Sequence, residues 1–166
     1  MYKLVGALVI LCACTAYGAG QCVSVKKRKM KLIEFKKIIE MLRTEIALRN
    51  APLPKAMHLV GCAFGNEVFL NCAELIPEIG AGAAFAACVK NSSRKWGFTD
   101  DDVLAVTGMS DGLGKCTLEE QLRKIDYTLG AVEKQILQAE HDVETKCRLY
   151  MGSSVLAGAF AVLLLV

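Results

Sequence analysis

Leu32, Phe35, Ile39, Leu42 and Ile46 follow one another at alternating steps of three and four, which places them on one face of a helix. This stripe predicts a helix over 32–49. It ends before Asn50-Ala51-Pro52-Leu53-Pro54, where two prolines stop a helix from continuing. A longer stripe follows near the other end: Leu118, Leu122, Ile125, Leu129, Val132, Ile136, Ala139 and Val143 step by four and three throughout, as in a heptad seam. Thr117 and Glu120 form a T-x-x-E capping box at its start. No breaker separates this helix from the C-terminus, so the two long helices are expected to pack antiparallel as a hairpin stalk.

Shorter helical patterns lie between them. Residues 53 to 64 carry Met57, Leu59, Val60 and Ala63, and residues 66 to 76 carry Val68, Phe69, Cys72 and Leu75 ahead of Pro77. Residues 81 to 96 are small and apolar on one face, with Arg94 and Lys95 near the negative end of the helix dipole. Thr99 is placed to cap a helix opening at Asp100-Asp101-Asp102. No alternating strand pattern occurs. The expectation is an all-α domain of about six helices.

The two ends change the picture. Leu4 to Val25 is uncharged over 22 residues, and as a helix would span roughly 33 Å at 1.5 Å per residue. Tyr150 to Val166 is uncharged over 17 residues, or roughly 25 Å. Both lengths fall in the range of membrane-spanning segments. Directly after the first comes Lys26-Lys27-Arg28-Lys29-Met30-Lys31, and directly before the second come Lys146 and Arg148. Positive flanks stay on the cytoplasmic side. Residues 1–25 and 150–166 are therefore expected as transmembrane helices, and residues 26–149 as a cytoplasmic helical domain. The alternative is an exported lipoprotein or a signal-anchored protein whose domain lies outside, since Leu11-Cys12-Ala13-Cys14 resembles a lipoprotein cleavage box. The single cation before the apolar run, Lys3, is a weak start for an export signal.

Charge narrows the function. The chain has 20 basic and 17 acidic residues; without the five cations of the cluster, 15 basic residues face 17 acidic ones. A nucleic-acid-binding face would spread its Lys and Arg over a surface, so nucleic acid is not an expected partner. Lys26, Lys27, Arg28, Lys29, Lys31, Lys146 and Arg148 are instead candidates for setting topology and for binding anionic lipid headgroups, at about 1 kcal/mol per cation near the surface. Ser154-x-x-x-Gly158 and Ala157-x-x-x-Ala161 are small-residue pairs that would let membrane helices approach. The eight cysteines include no C-x-x-C and sit singly in apolar or helical patterns, which suits free thiols in a reducing compartment.

Catalytic and metal signals are weak. Gly112-Leu113-Gly114-Lys115-Cys116-Thr117 resembles part of a phosphate loop, but Met109 and Cys116 stand where Gly and Ser or Thr are required and no strand precedes it. It reads as a turn between helices. His58 and Cys62 share a helix face without further ligands at metal spacing. His141 lies on a charged helix face, and the acids at 100–102 answer the helix dipole. No enzyme, cofactor or metal site is expected.

Five segments stand out together: the "MYKLVGALVIL" start, a basic stretch leading into "MLRTEIALRNAPLPKAM" (residues 41–57), "WGFTDDDV", "DGLGKCTLEEQL" (residues 111–122) and "KCRLYMGSSVLAGAFAVLLLV". Together they resemble the stage III sporulation protein AB family of endospore-forming bacteria. The family shows L-x-T-E-I followed by T-P-L-P, then L-G-x-S-D-x-x-x-Q, which Leu113, Gly114 and Gln121 match while Cys116-Thr117 replace Ser-Asp. It ends in K-x-x-L-Y-x-x-L-G. The likeness covers essentially the full chain and is least distinctive over residues 60–95. The resemblance implies a non-enzymatic membrane platform subunit of a secretion-like channel complex between mother cell and forespore. Its cytoplasmic domain would be similar to type II secretion F platform domains. Its partners would be other stage III subunits, above all the AA-type ATPase, at the mother-cell membrane around the forespore.

Overall fold

A computed structural model describes residues 2–49 and 51–165; side chains at 2–5, 7–11, 161, 164 and 165 lie outside the described residues. Six α-helices follow one another: α1 (Tyr2–Arg49), α2 (Leu53–Phe64), α3 (Glu67–Ile79), α4 (Ala81–Trp96), α5 (Asp100–Thr107) and α6 (Leu118–Leu165), with one turn of 3-10 helix at Ser110–Gly112. No strand occurs among the described residues, so the all-α expectation holds.

The chain forms two compact units. Unit 1 is Met1–Lys29 with Gln138–Val166, and unit 2 is Met30–Leu137. In unit 2 the α1 stripe behaves as its spacing demands: Leu32, Phe35, Ile39, Leu42 and Ile46 are all buried, joined by Ile38. Phe35 is the centre of an aromatic cluster. Its ring lies 5.3 Å from Phe69 on α3, 6.5 Å from Phe85 on α4, 5.4 Å from Trp96 and 6.2 Å from Phe98. The short helices thus wrap the α1 face and bury Met57, Val60, Val89 and Val106 with it.

Local chemistry sets the helix ends. The Asn66 side chain accepts the Val68 N–H at 3.1 Å and starts α3. Thr99 and Asp102 form a complete capping box: Thr99 Oγ1 accepts the Asp102 N–H at 3.3 Å, and Asp102 Oδ2 accepts the Thr99 N–H at 2.8 Å. The buried Asp102 is held this way, which fits the structural reading of the acidic triplet. Helix α3 differs from expectation at its end: it runs through Pro77 to Ile79. Proline removes one N–H donor, and in the exposed last turn that loss is small. Gly82 lets α4 approach the 3-10 turn, because a Cβ there would collide with the Ser110 carbonyl.

On α6 the buried positions among the described side chains are Gln121, Ile125, Thr128, Val132 and Ala139, with Gly158 farther along. Ile125, Val132 and Ala139 belong to the expected seam, whereas Leu122, Leu129 and Ile136 are only half-buried and Leu118 is exposed. The buried face is turned toward Gln121 and Thr128, and it is more polar than the apolar stripe implied.

The expected spans at residues 4–25 and 150–166 fall partly on side chains outside the described residues. Among the described residues no helix is long and apolar enough to cross a membrane. What is described there is diluted by Thr15, Tyr17, Gly18, Gly20 and Gln21 on α1 and by Gly152, Ser153 and Ser154 on α6. The all-helical class stands without flanking spans as a structural finding.

Candidate functional site

In unit 1 the basic cluster faces acids on α6. Arg28 is 7% exposed, and its guanidinium donates to Asp142 at 2.8 Å. Lys146, one turn along α6, reaches the same Asp142 oxygen at 3.1 Å. Lys29 donates to Glu140. Burial alone would push the Asp142 carboxyl up, but the hydrogen bond and charge of Lys146, with those of Arg28, outweigh it and hold the group below its ordinary value. Lys26, Lys27 and Arg148 are exposed and carry no ion pair among the described residues.

Lys31 belongs to unit 2. Its ammonium donates to Glu34 at 2.7 Å, and the other Glu34 oxygen accepts the Asn66 side-chain amide at 3.2 Å. The last cation of the cluster therefore steadies the residue that caps α3. Of the seven candidate residues, four are matched to carboxylates and three face outward. The structure brings Arg28 and Lys146 together on one acid.

The helix pairing has a regular basis that the apolar pattern did not reveal. In unit 1 Cys22 pairs with Cys147 and Lys29 with Glu140. In unit 2 Lys36 pairs with Glu133 at 2.9 Å, and Arg43 forks onto both oxygens of Asp126. The partners fall seven residues apart on both helices and run in opposite directions, so α1 and α6 pair antiparallel within each unit. The hydrogen bond from Arg43 holds the Asp126 carboxyl below its ordinary value. The signal was present in the sequence as basic residues at 29, 36 and 43 and acids at 126, 133 and 140.

The Cys22–Cys147 disulfide corrects the expectation of free thiols throughout. Spacing could not reveal it, because the two residues are 125 positions apart and meet only through the helix pairing. The described free cysteines are Cys12, Cys14, Cys62, Cys72, Cys88 and Cys116. Burial pushes the Cys72 thiol up to about 12, so it is inert as a nucleophile.

Small residues let the two helices of unit 1 approach. A Cβ at Gly18 would collide with the Ser154 side chain, and Gly158 is buried. The Ser154/Gly158 pair therefore lies at the contact, whereas Ala157 is exposed and the Ala161 side chain lies outside the described residues.

The remaining sequence candidates are structural. Gly112 ends the 3-10 turn, Gly114 takes a φ of 74°, and Thr117 accepts the Glu120 N–H at 3.4 Å. This is a turn followed by a helix cap. His58 and Cys62 are exposed neighbours, with Sγ 3.7 Å from Nδ1. No group of three or more potential ligands is gathered among the described residues.

A family model described as Stage III sporulation protein AB matches residues 3–166. A solved structure of stage III sporulation protein AB is similar in fold, with a TM-score of 0.65 and 16% identity over 70% of this chain and 96% of that one. No curated protein sequence matches. With the family match running along nearly its whole length, this chain belongs to the stage III sporulation protein AB family.

Proposed function

We propose that this sporulation protein is a non-enzymatic, membrane-anchored platform subunit of a stage III, secretion-like channel complex between mother cell and forespore. Its N- and C-terminal apolar segments insert as a helical hairpin in the mother-cell membrane. Its helical domain couples a cytoplasmic AA-type ATPase to the membrane components. Lys26 and Lys27 face anionic headgroups and Arg148 faces a headgroup phosphate, while Arg28, Lys29 and Lys146 hold the hairpin together at the boundary.

The observation that carries the membrane part is the outward surface of unit 1. Tyr17, Val23, Leu149, Val155, Leu156, Phe160 and Leu163 are each between 48% and 78% exposed, and no charge lies among residues 149–163. An apolar surface this extensive needs a cover. Three hydroxyls in the same segments bond back to their own helix: Thr15 donates to the Cys12 carbonyl at 3.0 Å, Ser153 to Tyr150 at 3.3 Å and Ser154 to Met151 at 3.0 Å. Polar groups that satisfy themselves on their own helix are what hydrocarbon demands.

A second reading, with the helical domain outside the cytoplasm, is favoured by one observation. The Cys22–Cys147 disulfide lies beside the proposed boundary, and disulfides persist in oxidising compartments.

Membrane fractions from sporulating cells test the main proposal. The full chain should stay with the membranes through an alkaline wash and, after detergent extraction, bring the stage III ATPase with it. Release into the wash would contradict insertion; retention without the ATPase would contradict coupling.

A further inference from the structure

The surface of α6 changes chemistry where it leaves the charged part of unit 1. A groove of about 670 Å³ begins at Glu144, Thr145 and Arg148 and continues past Leu149, Gly152 and Ser153 to Leu156. From Glu144 to Leu156 it follows the helix for roughly 18 Å at 1.5 Å per residue. Glu144 and Arg148 stand one turn apart, both exposed. Glutamate four residues before a basic residue is the favoured orientation for an ion pair, yet these two form none with each other or with any described residue. Nearby cations are differently placed, since Arg28 and Lys146 are already matched to Asp142 and Lys29 to Glu140.

One end of the groove thus carries a carboxylate and a guanidinium one helical turn apart, each without an ion pair among the described residues. The rest is apolar. Leu149 and Leu156 are 65% and 72% exposed, and open space surrounds the position where Gly152 would carry a side chain. The Ser153 hydroxyl is occupied by its own helix.

We propose that this groove seats a phospholipid with a zwitterionic ethanolamine headgroup. Arg148 takes the phosphate, Glu144 takes the primary ammonium, and an acyl chain lies along Gly152 to Leu156. The inference rests on the membrane reading above and sharpens it. A guanidinium suits a phosphate by geometry as well as charge. An anionic headgroup without an ammonium leaves Glu144 facing added negative charge. A choline headgroup has a cation but no N–H to donate. Lys26 and Lys27, exposed on α1 and without an ion pair among the described residues, serve the less selective attraction to anionic lipid.

Native mass spectrometry of the full chain in detergent tests this, with dioleoyl phosphatidylethanolamine, phosphatidylglycerol and phosphatidylcholine added in parallel. Glycerophosphoethanolamine serves as the headgroup without chains. The ethanolamine lipid should be retained at about tenfold lower concentration than the other two, the size expected for one charge-assisted hydrogen bond. Glu144→Gln and Arg148→Gln should each abolish that preference while leaving thermal unfolding unchanged, and the headgroup alone should not be retained. Equal retention of the three lipids by the parent chain would overturn the inference whether or not the variants fold. So would preference for phosphatidylglycerol, a preference unaltered in Glu144→Gln, retention of the bare headgroup as well as the lipid, or a doubled chain mass replacing the lipid adduct. Co-sedimentation with phosphatidylcholine vesicles separates the two levels. A chain that stays out of the vesicles undoes the membrane reading itself. A chain that enters them and shows no headgroup preference undoes only this inference.

Discussion

Phe35 stands where four other rings converge, and it is 2% exposed. Phe35→Ala should lower the unfolding free energy by about 3–5 kcal/mol, the range for emptying a large buried aromatic site. Chemical denaturation of the full chain in detergent would show this as a lower midpoint. Thr128 offers the opposite case. Its hydroxyl is buried without a hydrogen-bond partner among the described residues. Thr128→Val keeps the shape and removes the unsatisfied group, so it should stabilise by about 1 kcal/mol in the same measurement. Asp142 makes a pH prediction. Its folded pKa lies below its ordinary value of 3.8, so its stabilising contribution is complete above that value and is lost as pH falls through the lower, folded one. Asp142→Asn should flatten the acid limb of the Tm–pH profile below about 3.8 and leave Arg28 buried without its acid. An unchanged acid limb would contradict this role. Arg28 could not be told from its basic neighbours in sequence, because its burial depends on an acid 114 positions away.

The α1 stripe was legible because every member of a regular apolar spacing meets the core. On α6 the same rule placed Ile125, Val132 and Ala139 correctly but pointed past Gln121 and Thr128. Polar residues between apolar ones look solvated in a linear pattern, yet Gln121 and Thr128 are buried in the fold. At Gly108, for example, a Cβ would stand 3.2 Å from the Thr128 hydroxyl. The helix caps at Thr99 and Thr117 were readable because capping is local, and the α3 extension past Pro77 was not, because a late proline costs little at an exposed helix end. Pairing of α1 with α6 is also where a covalent tie enters. Closing a 125-residue separation restricts the unfolded chain, so reducing Cys22–Cys147 should cost about 2–4 kcal/mol and lower Tm. The comparison is between oxidised and reduced full chain. An equal Tm would mean the tie adds no stability.

For the molecule as a whole, the sequence carried more about family than about placement. Matching segments are spread from the first residues to the last, so membership could be read without three-dimensional contacts. Membrane placement depends on which cations remain unmatched and which apolar side chains point outward, and both are set by the pairing of distant residues. The positive flanks argue for a cytoplasmic helical domain, while the disulfide argues for an oxidising side. Cys62 decides between them, being exposed, free and part of the helical domain. Cys147 is unsuited because it is tied to Cys22. In a chain whose other described free cysteines are replaced by serine or alanine, a membrane-impermeant maleimide should label Cys62 only after lysis if the domain is cytoplasmic. Labelling in intact cells would place the domain outside and contradict the coupling to a cytoplasmic ATPase.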